Sequence, residues 1–322
     1  MNHEITICSV SYHSAAFLRL NERLVRELNH DAAVHWIVAE NSPADSALRL
    51  SAADRAFSLI DGSGPGHIPN YHHTLALRDC TRRSTTRFVA VIDPDLFIVR
   101  PNWVAEMLEH MQGHDLSFIG VPWHPQSSGK YRYYPAVHLT IFDTERFRLE
   151  DIDFLPDYPD GDTDPAWQAG WTLQGNYFTR SRVARVLGHL PGLFARRQYY
   201  TDTGSRFYKR WVDDPGLRYE VLVPRWRPPA PPESTLRRLA QRLLPDELSY
   251  VPTRYPAATF EMGERLAAGA STMPTRWECF EWRRQLFSFH VRGNLERDER
   301  DTGTELEIAA RLVNAALGGF TR

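Results

Sequence analysis

Short apolar runs typical of β-strands alternate with helical patterns through the first 112 residues of this 322-residue chain. Strand-like runs lie at 5–11, 34–39, 57–60 and 88–92, and again at 116–121 and 137–142. Apolar residues at helical spacing, or a proline near the start, predict helices over 14–29, 69–80 and 101–112. The alternation predicts an α/β fold, with a mostly parallel sheet and helices on both faces.

The predicted strands of the first half end in polar or turn-forming residues. In open α/β sheets, ligands bind beyond the carboxyl ends of the strands. We therefore expect a binding site where these ends meet, and the segments concerned are Ser11-Tyr12, Glu40-Asn41, Asp61-Gly62 and Asp93-Pro94-Asp95.

The segment "VAVIDPDLFIV", 89–99, places two carboxylates, Asp93 and Asp95, directly after a buried strand. Carboxylate oxygens suit hard divalent cations, and a Mg²⁺ site typically combines one or two carboxylates with substrate phosphates. The residues alone equally allow a polar turn in which Pro94 ends the strand.

Three other segments carry residues that suit catalysis or binding. "DGSGPGH", 61–67, suggests a phosphate-binding turn, although His67 stands where the dinucleotide fingerprint needs glycine. His290 lies in the strand-like run "FSFHVRGN" and is either a hydrogen-bonded structural residue or a metal ligand. Asp202 precedes a predicted helix, where it suits a helix N-cap or a general base.

Aromatic residues are concentrated in two segments of the middle of the chain, 121–135 and 164–176. They are either core residues or flat surfaces that pack against sugar rings beside polar partners. The candidates for such acceptor binding are Trp123, His124, Trp171 and Gln174.

Composition and charge restrict the partners and the compartment. The chain carries 38 basic and 40 acidic residues, so it lacks the basic excess that predicts nucleic-acid binding. Three scattered cysteines form no CxxC motif, and no signal peptide or apolar run of about 20 residues is present, so a cytoplasmic protein is expected. A basic amphipathic segment at 234–244 leaves open a peripheral contact with the inner face of the membrane, and a homodimer is also left open.

The order and spacing of these segments resemble nucleotide-sugar-dependent glycosyltransferases of the GT-A fold, particularly the family 2 class. "ITICSVSYHSAAFL" is similar to the opening strand, turn and helix of that class, and "IVAENSPADS" to its second strand. "GSGPGHIPNYHHTLAL" resembles the glycine-rich segment that leads to an Asn, here Asn70, and "FVAVIDPDLFI" stands where the family carries its DxD motif. Residues 175–210 resemble the acceptor-side segment, with Thr201 in place of the usual Glu before Asp202.

The resemblance implies an inverting, metal-dependent transfer of a sugar from a nucleoside-diphosphate donor to a saccharide or glycolipid acceptor. A divalent metal, Mn²⁺ or Mg²⁺, would be bound by Asp95 and His290 and also by Asp93, which would lie nearer the ribose or a metal-bound water. Asp202 would be the general base. Donor contacts would come from Ser11, Tyr12, Glu40, Asn41, Asp61 and Asn70.

The chain is expected to divide into a catalytic core, 1–222, and a C-terminal extension, 223–322, that begins with a proline-rich linker and contributes His290. Within the core, residues up to about 112 would bind the donor and residues 113–222 the acceptor. Two alternatives stay open: a sugar-1-phosphate nucleotidyltransferase, and an inactive carbohydrate- or nucleotide-binding protein on the same fold.

Overall fold

The computed structural model describes residues 3–43, 48, 56–62, 69–125, 131, 133–156, 203–225, 235, 277–291 and 299–319. At 69–70, 299–303 and 319 it describes only the backbone.

The described strands and helices follow the predicted alternation through the first half of the chain. The strands are β1 (His3–Ser11), β2 (Ala32–Glu40), β3 (Ser58–Asp61), β4 (Phe88–Ile92), β5 (Leu96–Ile98), β6 (Phe118–Gly120), β7 (Leu139–Asp143), β8 (Tyr219–Val221), β9 (Val223–Arg225), β10 (Glu278–Trp282) and β11 (Gln285–His290). The helices are α1 (Ala15–Leu28), α2 (Pro69–Arg82), α3 (Trp103–Gly113), α4 (Ser205–Trp211) and α5 (Glu299–Gly319), with a 3-10 turn at Leu149–Asp151.

Seven of the described strands form the central sheet, in the order β3-β2-β1-β4-β7-β6-β8. Strand β7 is antiparallel to both of its neighbours, and the other pairings are parallel. The predicted α/β fold, with a mostly parallel central sheet flanked by helices, is therefore confirmed. Parallel strands place their carboxyl ends at one edge of the sheet, and this edge carries the predicted site.

Helices cover both faces of the central sheet because its inner strands are apolar on both sides. In β1, Ile5 and Ile7 belong to the cluster that includes residues of α1 and α3. Cys8 and Val10 belong to the opposite cluster, with residues of α2 and α4. This double coverage fixes the register of β1 and holds its carboxyl end in place.

A second, antiparallel sheet joins β5, from the first half of the chain, to three strands from the second half, in the order β5-β11-β10-β9. Phe97 of β5 stacks on Phe289 of β11 with ring centroids 5.1 Å apart, and apolar residues of α1 and α5 pack in the same cluster. Strands β9 to β11 lie in the predicted C-terminal extension, and β11 pairs with β5 of the predicted core. Among the described helices, none combines the length and hydropathy that crossing a bilayer requires.

Candidate metal and nucleotide-sugar site

A β-turn joins the central sheet to the second sheet at Asp93-Pro94-Asp95. The Leu96 amide donates a hydrogen bond to the Asp93 carbonyl at 3.0 Å, which places Pro94 at the second position of the turn. Proline suits this position because its fixed φ matches the turn. Both carboxylates are partly buried, and they stand at the edge of the sheet where a ligand is expected.

Asn21 of α1 holds the Asp93-Pro94-Asp95 turn through two side-chain hydrogen bonds. Its Nδ2 donates to the Pro94 carbonyl at 3.2 Å and to the Leu96 carbonyl at 2.7 Å. The Asn21 side chain is only 2% exposed, so these two hydrogen bonds satisfy an amide group that would otherwise be buried without partners. Asn21 therefore couples the helix that follows β1 to the position of the two carboxylates.

Backbone hydrogen bonds bring two histidines to the turn. The Asp93 amide donates to the His138 carbonyl at 2.9 Å, just before β7. The Val291 amide donates to the Asp95 carbonyl at 2.9 Å, just after His290 ends β11. The two aspartates are thus each paired, through the backbone, with a segment that carries an imidazole.

His290 lies between two carboxylates in the interior. Its Nε2 is 3.4 Å from Asp95 Oδ1, and its Nδ1 is 2.9 Å from Oε2 of the buried Glu278. Burial by itself lowers the pKa of His290, but the carboxylates of Asp95 and Glu278 outweigh it and raise the pKa to about 10. This environment favours positive charge, which is what a cation site requires.

His138 contacts the other aspartate through one ring nitrogen. Its Nδ1 is 2.8 Å from Asp93 Oδ2, while its Nε2 is buried and has no hydrogen-bond partner among the residues described. The His138 ring lies 4.6 Å from the His290 ring and 4.3 Å from the Trp123 ring, centroid to centroid. A buried ring nitrogen without a partner is costly unless a ligand satisfies it.

Asp93, His138 and His290 together form a possible site for a divalent metal ion. Each offers one ligand atom, and these atoms lie within 4.8 Å of one another. Asp93 and His290 were predicted as ligands, and the predicted ligand Asp95 lies beside His290. The residues fit a metal ion because they supply carboxylate oxygens and imidazole nitrogens. One of these nitrogens, His138 Nε2, is buried without a hydrogen-bond partner among the described residues.

The sequence prediction missed His138 and Glu278. His138 is the second residue of the strand-like run "VHLTIF", and a polar residue near the start of a buried strand was the available signal. Its position opposite Asp93 depends on the antiparallel pairing of β4 with β7, which matches Ile92 with Leu139. His73 of α2 also approaches the site, with Nε2 3.8 Å from Asp93 Oδ1.

Ser11, Glu40 and Asp61 lie side by side at the carboxyl ends of β1, β2 and β3, as predicted. The Glu40 side chain is only 1% exposed. Its Oε2 accepts a hydrogen bond from Ser11 Oγ at 3.1 Å, and its Oε1 accepts one from the Ser42 amide at 2.9 Å. Glu40 therefore fixes the loop after β2, and its contact with a donor stays a prediction.

The other residues predicted to bind the sugar donor differ in their solvent exposure. Tyr12 is 48% exposed, and Asp61 is also exposed, so both side chains face solvent. Asn41 is buried, and its Oδ1 has no hydrogen-bond partner in the described part of the chain. A β-carbon on Gly62 would lie 1.7 Å from this Oδ1, so the Asn41 side chain occupies the space that only glycine leaves free.

Two predicted acceptor residues are described, and both are buried. Trp123 packs against His138, which places it next to the possible metal site. His124 is fully buried, and its Nε2 lies 2.9 Å from the Arg225 carbonyl of β9, so its visible role is packing between the two sheets. Acceptor binding by these residues stays a prediction.

The other predicted site residues lie outside what the structure describes. Asp202, Trp171 and Gln174 are outside the described residues, and of Asn70 only the backbone, in the first turn of α2, is described. Their predicted roles stay predictions.

No family model matches the sequence, and no curated protein matches it. Among solved structures, it is similar to the mannosyltransferase PcManGT from Pyrobaculum calidifontis, in complex with GDP-Man and Mn²⁺, with 14% identity, 44% of this chain and 45% of that chain covered, and a TM-score of 0.35. It is also similar to TarS from S. aureus in complex with UDP-GlcNAc, with 14% identity, 47% and 48% coverage and a TM-score of 0.34.

A third similar structure is the galactosyltransferase LgtC in complex with donor and acceptor sugar analogues, with 13% identity, 46% and 58% coverage and a TM-score of 0.33. The chain thus spans between 45% and 58% of these three structures.

Proposed function

We propose that this protein is a metal-dependent, inverting glycosyltransferase that transfers a sugar from a nucleoside-diphosphate donor to a saccharide or glycolipid acceptor. One observation carries the proposal. Asp93 and Asp95, at the carboxyl end of β4, converge with His290 at the end of β11, next to the polar ends of β1, β2 and β3. This edge combines a possible cation site with the polar strand ends at which a nucleoside would bind.

Each described residue has a distinct task in this proposal. Asp95 and His290 hold a divalent cation, and Asp93 faces the ribose or a cation-bound water. When bound, the cation neutralises the negative charge that develops on the nucleoside-diphosphate leaving group. Tyr12 and Asp61, the exposed residues at the ends of β1 and β3, bind the base and the ribose.

The acceptor side of the proposal rests on the sequence. Asp202 deprotonates the acceptor hydroxyl as that oxygen attacks the anomeric carbon from the face opposite the diphosphate, so the configuration inverts. Trp171 and Gln174, together with the neighbourhood of Trp123, bind the acceptor. We further propose a cytoplasmic protein that contributes to cell-surface polysaccharide or glycolipid synthesis.

Thermal stabilisation by UDP, GDP and dTDP, with and without Mn²⁺, is the first test. We expect one nucleotide to raise the melting temperature, and Mn²⁺ to increase the shift. Asp95→Ala should abolish the Mn²⁺-dependent part, whereas Asp31→Ala, an exposed aspartate just before β2 at the opposite edge of the sheet, should keep it.

A donor-hydrolysis and transfer screen then separates the proposal from its alternatives. The glycosyltransferase releases the nucleoside diphosphate from one nucleotide sugar. Stabilisation without hydrolysis or transfer would favour a binding protein, and pyrophosphate release from a nucleoside triphosphate with a sugar 1-phosphate would favour a nucleotidyltransferase. No shift with any nucleotide would contradict the proposed function.

A further inference from the structure

Two imidazoles of the site have the same pattern of neighbours. In both His138 and His290, Nδ1 lies within hydrogen-bond distance of a carboxylate, Asp93 at 2.8 Å and Glu278 at 2.9 Å. Histidines that bind metals commonly donate one ring N–H to a carboxylate, which leaves the other nitrogen as the ligand. In this arrangement, Nε2 is the ligand nitrogen of both rings.

The two Nε2 atoms are placed as ligands would be. Nε2 of His290 faces Asp95 Oδ1 at 3.4 Å, which is longer than a hydrogen bond in an ion pair of this kind. Nε2 of His138 is buried and makes no hydrogen bond to any described residue. The ring centroids are 4.6 Å apart with an interplanar angle of 36°, and the ligand atoms that Asp93, His138 and His290 offer lie within 4.8 Å of one another.

A purely structural role for His138 accounts for only half of its contacts. The hydrogen bond to Asp93 explains Nδ1, and the edge-to-face contact with Trp123 explains the burial of the ring. Neither explains a second ring nitrogen that is buried without a partner, at a cost of about 1–3 kcal/mol. A cation beside His290 removes that cost.

We infer that His138 is a ligand of the cation, in addition to His290 and the aspartates, and that the two imidazoles make the site select a first-row transition metal over Mg²⁺. Imidazole nitrogen suits ions such as Co²⁺ and Zn²⁺, whereas Mg²⁺ prefers carboxylate, carbonyl and water oxygens. The inference rests on the proposed function only for the presence of a cation, since metal binding can be measured without any sugar donor.

Calorimetric titration of the full chain with CoCl₂ and with MgCl₂, without nucleotide, tests the selectivity. Wild type should bind one Co²⁺ at least 10-fold more tightly than Mg²⁺. His138→Gln should weaken Co²⁺ binding by about 10- to 100-fold and leave Mg²⁺ binding nearly unchanged. His35→Gln, which replaces an exposed histidine on β2, is the matched control and should bind both metals as wild type does.

The number of metal-bound imidazoles, counted by NMR, shows whether His138 binds the metal itself or only holds Asp93 in place. In the ¹H NMR spectrum of the Co²⁺ protein, each bound imidazole gives one strongly shifted, exchangeable N–H signal. Two such signals are expected in wild type and in His35→Gln, and one in His138→Gln. One signal in wild type, or Co²⁺ affinity in His138→Gln equal to wild type, would overturn the inference, as would equal affinity of wild type for Co²⁺ and Mg²⁺.

The same titrations keep this inference apart from the proposed function. His138-dependent Co²⁺ binding without hydrolysis of any nucleotide sugar would leave the metal ligand established and contradict glycosyl transfer. Hydrolysis that proceeds equally in wild type and in His138→Gln, with unchanged Co²⁺ affinity, would support the enzyme and remove His138 from the metal site.

Discussion

Replacing Asn21 by leucine should weaken the candidate site although Asn21 touches neither a carboxylate nor a histidine of it. Leucine keeps the branched shape of the side chain, although it is larger, and removes both hydrogen bonds from Nδ2 to the Pro94 and Leu96 carbonyls. Each lost hydrogen bond costs about 1 kcal/mol, and the carbonyls left buried without a partner add to this cost. The free energy of unfolding should therefore fall by about 2–4 kcal/mol. The released turn should also lower metal affinity about 10-fold, as expected when support for ligand residues is lost.

Asn29 offers a matched control on the same helix. Asn29, the residue that caps the C-terminus of α1, is also buried and takes part in two hydrogen bonds. Its Nδ2 donates to the Val25 carbonyl within α1, and its Oδ1 accepts from the Val104 amide of α3. Asn29→Leu should lose a similar amount of stability in urea denaturation. Its Co²⁺ affinity, measured by calorimetry below the unfolding transition, should match wild type.

The comparison of the two variants isolates the position of the turn from general stability. If Asn21→Leu binds Co²⁺ as tightly as wild type, the hydrogen bonds from α1 do not set the position of the carboxylates. If both variants lose metal affinity equally, the loss reflects overall destabilisation, and the proposed coupling between α1 and the turn is refuted.

Three further predictions follow from single residues. Asp202→Asn should reduce the turnover of sugar transfer strongly and leave donor affinity, measured by calorimetry, nearly unchanged, and normal turnover would mean that Asp202 only caps a helix. Gly62→Ala should cost about 1–3 kcal/mol in urea denaturation, because its β-carbon meets Asn41 Oδ1, and Asn41→Ala in the same chain should recover part of that loss; additive losses would refute the clash. Burial raises the pKa of the Cys80 and Cys279 thiols to about 12, so at pH 8 neither should react with a disulfide reagent until urea unfolds the chain, whereas rapid labelling of the native protein would show that they are accessible.

The sequence by itself determined the fold class and the edge of the sheet that carries the site. Apolar periods distinguish strands from helices, and strand–helix alternation imposes parallel pairing, so the polar ends of β1, β2, β3 and β4 had to meet at one edge. Asp93 and Asp95 could be predicted for the same reason, since they directly follow a buried strand. These patterns are local, so they can be recognised without knowing which distant segments pair.

Only the tertiary structure decided what surrounds those aspartates. His138 lies 45 residues from Asp93, and its position depends on antiparallel pairing between β4 and β7. Glu278 and His290 come near the turn because β11 pairs with β5 across almost 200 residues of sequence. Asn21 reaches the turn because α1 packs against β5. Such contacts are set by the packing of apolar faces over the whole chain, and no local pattern of residues encodes them.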